Sequence, residues 1–210
     1  MKDFKPTGYG WWELYRMGGI KTAVTAMFDP QNAQHTAFIR SLMKDQRKNH
    51  PEETMLSQME VVVFDLETTG FSPYAGDEIL SIGAVSMTGK EVAEPETFHS
   101  YVNPKRMIPK HIQELTAITD EIAAASPDLI EVLKQFFAFV RGRTLIAHGS
   151  GHDKRFLDSA LWKTSKVNLT HRLLDTMMIA KWLHPKCEDY GLDALLERYQ
   201  IPIGKRHHAL

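Results

Sequence analysis

Val61-Val62-Val63-Phe64 is an unbroken apolar run that ends in Asp65-Leu66-Glu67-Thr68-Thr69-Gly70. Consecutive β-branched and aromatic residues bounded by a turn predict a central strand, buried on both faces of its sheet. Side chains alternate along a strand, so Asp65 and Glu67 point to the same side at its end. Two like charges beside a buried strand need compensation, and a divalent cation supplies it most simply. Thr68, Thr69 and Gly70 add hydroxyls, backbone N–H groups and a residue without a side chain, a setting that suits close approach of a phosphate or sugar. The alternative is a strand followed by a turn whose acids are merely solvated.

The remaining pattern builds a sheet around this strand. Strands are predicted over 61–67, 79–87 and 97–102, and their short connections make the first ones antiparallel neighbours. Residues 109–115 read as a short helix, and Thr119-Asp120-Glu121 as the capped start of another. Leu129, Val132, Leu133, Phe136, Phe137 and Val140 recur at helical spacing, and Gly142 is expected to stop that helix. Thr144-Leu145-Ile146-Ala147 reads as a short buried strand that a right-handed crossover lays parallel in the sheet. Helices follow over about 153–162, 176–183 and 192–199, the last turning Leu192, Leu195, Leu196 and Tyr199 inward. Strands first, then helix and strand in alternation, define an α/β fold with a mixed sheet and helices on its faces.

Residues 1–59 differ from the domain at 60–210 and read as a helical N-terminal extension. They hold an aromatic cluster, Tyr9, Trp11, Trp12 and Tyr15, and then a helix over 31–48 with Ala33, Ala37, Phe38, Leu42 and Met43 on one face. Asn49-His50-Pro51 ends that helix, which packs on the domain or on a partner.

At 43% hydrophobic, 210 residues can bury the core of one domain. The net charge of -1 excludes a protein that holds nucleic acid by overall charge alone. Between Arg141 and Arg172, however, seven bases meet only Asp153 and Asp158, which is either a solvated helix face or a track for a phosphate backbone. No stretch reaches transmembrane length, the N-terminus lacks an apolar signal core, and Cys187 has no internal partner, so a cytoplasmic setting away from membranes is expected.

A second acidic motif follows the strand at Thr144, in His148-Gly149-Ser150-Gly151-His152-Asp153. A strand end beside a helix start is where mixed sheets place ligands, although Asp153 alone would also serve as an N-cap. If the strands beginning at Val61 and Thr144 are neighbours, Asp65, Glu67 and Asp153 meet at one sheet edge. Three carboxylates without Cys ligands select a hard cation, Mg²⁺ or Mn²⁺, over Zn²⁺. Two such ions roughly 4 Å apart can activate water and stabilise the leaving oxygen of a phosphodiester. His148 and His152 are a poor zinc pair, with glycines between them and no Glu after His148. Asp175 is expected to cap the helix at Thr176, with a supporting role at the site as the alternative.

Phe64 to Gly70 followed by Glu78-Ile79-Leu80-Ser81-Ile82-Gly83-Ala84-Val85 resembles the first motif of the DEDDh exonucleases, the family that includes the proofreading subunit of bacterial DNA polymerase III. Asn103-Pro104 through Asp120-Glu121 is similar to the connecting region of the exonuclease insert in replicative polymerases, with Ala117 where Gly is usual. Ala147 to Asp153 resembles the second motif, with Gly149, Ser150 and His152 where the family has Asn, Ala and Phe.

The resemblance spans about Glu60 to Leu210 and implies a ribonuclease-H-like fold with two Mg²⁺ or Mn²⁺ ions. By position it implies Asp65, Glu67 and Asp153 as catalytic metal ligands, Thr68, Thr69 and Gly70 at the substrate 3′ end, and His207 as general base. It further implies 3′–5′ hydrolysis of single-stranded DNA and a polymerase or repair partner, with an RNA-trimming enzyme of the same class left open. The family's fourth acidic ligand would fall past Leu210, so weak or absent activity is expected of these 210 residues. A non-catalytic binding or scaffold protein is the rival; Gly149, Ser150 and His152 favour it, and retention of Asp65, Glu67, Asp153 and His207 opposes it.

Overall fold

The computed structural model describes residues 30–46, 54–90 and 96–202. The aromatic cluster at Tyr9 to Tyr15, the helix stop at Asn49 to Pro51 and His207 lie outside the described residues.

The apolar run forms β1 (Glu60–Thr68), the middle strand of a five-stranded sheet. β2 (Ile79–Thr88) pairs antiparallel with β1, and β3 (Thr97–Tyr101) antiparallel with β2. On the other side β4 (Thr144–Ala147) runs parallel to β1, and β5 (Leu173–Asp175) parallel to β4. The spatial order is β3-β2-β1-β4-β5. The sequence does not announce β5, because three residues are too few to show a period. Pairing with β4 makes it a strand, and that pairing sets Asp175 opposite Ala147.

Seven helices are found among the described residues: α1 (Pro30–Gln46), α2 (Lys110–Thr116), α3 (Asp120–Ala124), α4 (Leu129–Val140), α5 (Gly151–Ser165), α6 (Thr176–Leu183) and α7 (Leu192–Arg198). None is long and apolar enough to cross a membrane. Val62, Phe64 and Leu66 of β1 share the main core with Phe136 and Phe137 of α4 and with Phe156, Leu157 and Leu161 of α5. Phe64 and Phe136 meet at 5.8 Å between ring centroids. Each such side chain contributes about 1.5–3 kcal/mol on burial, which locks α4 and α5 to the strand that carries Asp65 and Glu67. A smaller cluster of Leu80, Ile108, Ile112, Ile118 and Ala123 seats α2 and α3.

Three local expectations change. α1 packs on the domain, but through His35, Ile39 and Met43; Ala33, Ala37 and Phe38 are exposed. Spacing of four residues selects that row, and His35 is tolerated inside because Lys134 Nζ lies 3.0 Å from its Nε2 and Glu131 3.2 Å from its Nδ1. α4 ends at Val140, two residues before the expected glycine: Arg141 takes a positive φ of 53°, and the Arg143 guanidinium donates to the carbonyls of Phe139 and Val140. In α7 only Leu195 is buried, while Leu192 and Tyr199 stand half exposed.

Ala117, where the resembling exonucleases carry Gly, caps α2 with a left-handed φ of 59°. A Cβ is costly in that region, so Ala117→Gly is expected to raise stability by about 0.5–1 kcal/mol despite the looser unfolded chain. Urea unfolding would read this as a higher midpoint, and a lower one would refute it.

Candidate active site

Along β1 the row Val62, Phe64 and Leu66 enters the core, and the alternate row carries Asp65, which is exposed, and Glu67, which is 9% exposed. Parallel pairing of Val61 to Val63 with Thr144 to Ile146 sets the end of β4 level with Phe64, so the turn after β4 starts beside Asp65. The chain then turns through His148 to Ser150, with Gly149 at the left-handed φ of 64°. Ser150 precedes α5, so Asp153 is not the N-cap but lies in the first helical turn, 4% exposed.

Electrostatics ties the acids together. Burial first, and then the negative charge of Asp65, push the Asp153 carboxyl up to about 7, against the opposing pull of the Asp153 and Leu66 amides. Burial followed by Asp65 likewise pushes Glu67 up to about 7. One charge on β1 therefore acts on both other acids, one from the same strand and one from α5.

Among the described residues, no group of three or more His, Cys, Asp and Glu side chains closes into a ready-made ion cage. The fit to a cation lies in the donor set: hard carboxylate oxygens on two buried groups, whose ionised forms a divalent ion would stabilise.

Two further aspartates hold the segments that bear these acids. Asp175 caps α6 through Met177 N at 2.9 Å and also accepts from Gly149 N at 3.0 Å, Ser150 N at 2.9 Å and Ser150 Oγ at 3.2 Å. Burial would raise its pKa, but these bonds outweigh burial and hold the carboxyl below its usual range. The turn delivering Asp153 is thus pinned to the end of β5. The sequence indicates the cap; the second set of bonds depends on β5 lying beside β4.

Asp77 is the residue that sequence reasoning missed. Its carboxylate accepts from Thr69 Oγ1 at 3.1 Å, Ser72 N at 3.0 Å and Arg106 Nη1 at 3.3 Å. A Cβ on Gly70 would stand 2.4–2.8 Å from that carboxylate, so the glycine makes room for Asp77. An Asp after Gly ahead of a strand is ordinary turn composition, and no spacing in the sequence distinguishes it.

The loop hydroxyls are engaged internally. Thr69, 2% exposed, accepts from Glu78 N at 3.0 Å while donating to Asp77. Thr68 Oγ1 donates to Gly70 O at 2.7 Å and lies 3.4 Å from His152 Nε2. Burial and then the Arg155 charge hold His152 below the usual imidazole range, which favours its neutral form. His148 faces elsewhere, with Nδ1 2.9 Å from Thr176 Oγ1. The basic stretch is spread over α5 and its flanks and partly paired, Lys154 with Asp158, Lys163 with Glu78 and Arg143 with Glu96.

A mixed sheet whose central strand ends in two acids, beside a third acid in the first turn of the next helix, has the layout of ribonuclease-H-like nucleases. The chain belongs to the exonuclease family, whose RNase T-type model matches residues 62–210.

It is similar to the PolC-type DNA polymerase III of Caldanaerobacter subterraneus, at 37% identity over 153 residues, 72% of this chain and 10% of that protein. It is equally similar to a DNA polymerase III subunit epsilon-like protein of Rhodobacter capsulatus, at 37% over 160 residues, 75% of this chain and 23% of that one. The chain thus spans from a tenth to under a quarter of the length of these two relatives. The nuclease domain of 3′hExo, a DEDDh family member solved with rAMP, shares the fold with a TM-score of 0.63 at 18% identity, covering 71% of this chain and 84% of that one.

Proposed function

We propose that this domain hydrolyses the terminal phosphodiester at the 3′ end of single-stranded DNA, releasing one nucleotide at a time. The observation that carries the reading is the pair of buried carboxyls, Glu67 and Asp153, each pushed up to about 7 beside Asp65, in a chain of the exonuclease family.

Asp65, Glu67 and Asp153 would hold two Mg²⁺ or Mn²⁺ ions. Such ions lower the pKa of water and offset charge on phosphate oxygens. Asp175 and Asp77 keep the two acid-bearing segments in place while the acids change protonation state. The backbone of Thr68, Thr69 and Gly70 lies against the terminal nucleotide. His207 accepts the proton of the attacking water, a task for which an imidazole titrating near neutrality is suited. The catalytic domain is taken to begin at about residue 60, with 1–59 as its extension. The choice of DNA, and of a polymerase as partner, rests on the polymerase names of the relatives.

A 5′-labelled oligodeoxynucleotide incubated with Mn²⁺ is expected to shorten stepwise from its 3′ end, and faster than RNA of the same sequence. Faster loss of the RNA would overturn the DNA assignment. Retained end binding with no shortening would instead mark a binding module.

A further inference from the structure

Phe71, Tyr74 and Trp162 are 80%, 76% and 55% exposed, a large apolar area for rings that serve no core. Phe71 stands edge-on to His152 at 5.8 Å between centroids, and His152 reaches Thr68 at the end of β1. Tyr74, in a short turn at Pro73–Ala75, and Trp162, on α5, line one cleft of about 310 Å³ together with Ser159 and Lys163.

The charge beside this cleft is of the sign a phosphate backbone needs. Arg155, Ser159, Trp162 and Lys166 recur at helical spacing along one stripe of α5 and its end, and Lys166 Nζ lies 5.7 Å from the Trp162 ring centroid. Asp158, also in the lining, is already bound by Leu169 N at 2.8 Å and Lys154 Nζ at 2.5 Å. The aromatic loop is held in place, since Asp77 accepts from Ser72 N and Arg106 donates to Gly76 O. A loop held before binding loses little freedom when a base stacks on its side chains, which favours affinity.

We infer that the cleft between Tyr74 and Trp162 is a stacking subsite for a base of single-stranded nucleic acid upstream of the 3′ end, with Arg155 and Lys166 beside its phosphates. The inference rests on the 3′-end reading of the neighbouring acids. Trp162 lies about 14 Å along the α5 axis from Asp153, so the stacked base lies more than one nucleotide upstream of the terminal one. Stacking accepts any base, so the subsite adds strand-length preference without sequence preference.

The test compares two strands, of two and eight nucleotides, on the full chain and on Trp162→Ala, Trp162→Phe and Tyr74→Ala, all at exposed positions. Binding is measured by fluorescence anisotropy in Ca²⁺ and hydrolysis in Mn²⁺. Trp162→Ala is expected to weaken binding of the eight-nucleotide strand about tenfold and to raise its KM alike, with Trp162→Phe restoring most of the loss. The dinucleotide, too short to reach the cleft, should show no change in KM. Equal affinity of the full chain and Trp162→Ala for the longer strand, or no binding by either, overturns the subsite. Dinucleotide hydrolysis, and its loss in Asp65→Ala, reports the acid site separately; length-dependent binding without any hydrolysis would fail the nuclease reading and keep the subsite.

Discussion

Asp65→Ala is expected to abolish hydrolysis at the 3′ end, lowering turnover by about 10³-fold while the protein stays folded. Asp65 is exposed, so its loss opens no cavity, and the core row of β1 lies on the opposite face. Yet its charge acts on both Glu67 and Asp153. A divalent ion supplies several kcal/mol of charge stabilisation in phosphodiester cleavage, and several kcal/mol corresponds to about three decades in rate. The same substitution should erase the rise in melting temperature that Mn²⁺ gives the unaltered chain. Turnover within tenfold of the unaltered protein, with the Mn²⁺ response intact, would show that the acids of β1 and α5 are not an ion site.

Asp153→Asn carries the second large effect, an increase in the stability of the metal-free protein at pH 8. Asp153 and Glu67 ordinarily titrate near 4, but in the folded chain they hold their protons up to about 7. Between about pH 4 and 7 the folded state therefore binds more protons than the unfolded one, and the contribution of these groups to stability falls as pH rises through that window. Above it the penalty for the ionised, buried carboxylates is fully present. Asparagine at position 153 removes one of them and should raise stability at pH 8 by about 2 kcal/mol, or about 4–8 °C in Tm. At pH 4, where Asp153 is protonated in the folded state, the gain should shrink to a small fraction. Melting curves in EDTA across pH 4 to 8 read this directly. A variant less stable than the parent at pH 8 would mean that the Asp153 carboxylate is held by partners rather than strained by burial.

The acids were legible in the sequence because strand alternation and helix periodicity are local. Val61 to Phe64 could only be a buried strand, which put Asp65 and Glu67 on its alternate row, and the amphipathic series from Leu129 to Val140 demanded a helix over the sheet. Its place between a strand end and a helix start made Asp153 a candidate ligand, with an N-cap as the alternative; the cap position belongs to Ser150, and Asp153 is a buried group of the first turn. The buried face of α1 is not legible in the sequence for a related reason. A helical pattern offers several rows, and the carboxylate and amine that admit His35 belong to α4, far away in the chain.

Sequence pattern alone determined the central strand, the main helices and the antiparallel partner of β1, and it named three acids that would meet if β4 lay beside β1; the packed sheet supplied that neighbour. Tertiary structure decided what holds and tunes them. β5 exists only by pairing with β4, and that pairing lets Asp175 fix the turn before Asp153; Asp77 gathers Thr69, Ser72 and Arg106 beneath a glycine that leaves it space. Burial that raises Glu67 and Asp153 is likewise a sum over α5, β1 and their neighbours. Periodicity is a property of neighbouring residues and can be read along the chain, whereas desolvation and hydrogen-bond closure between distant segments arise only once the sheet and its helices have packed.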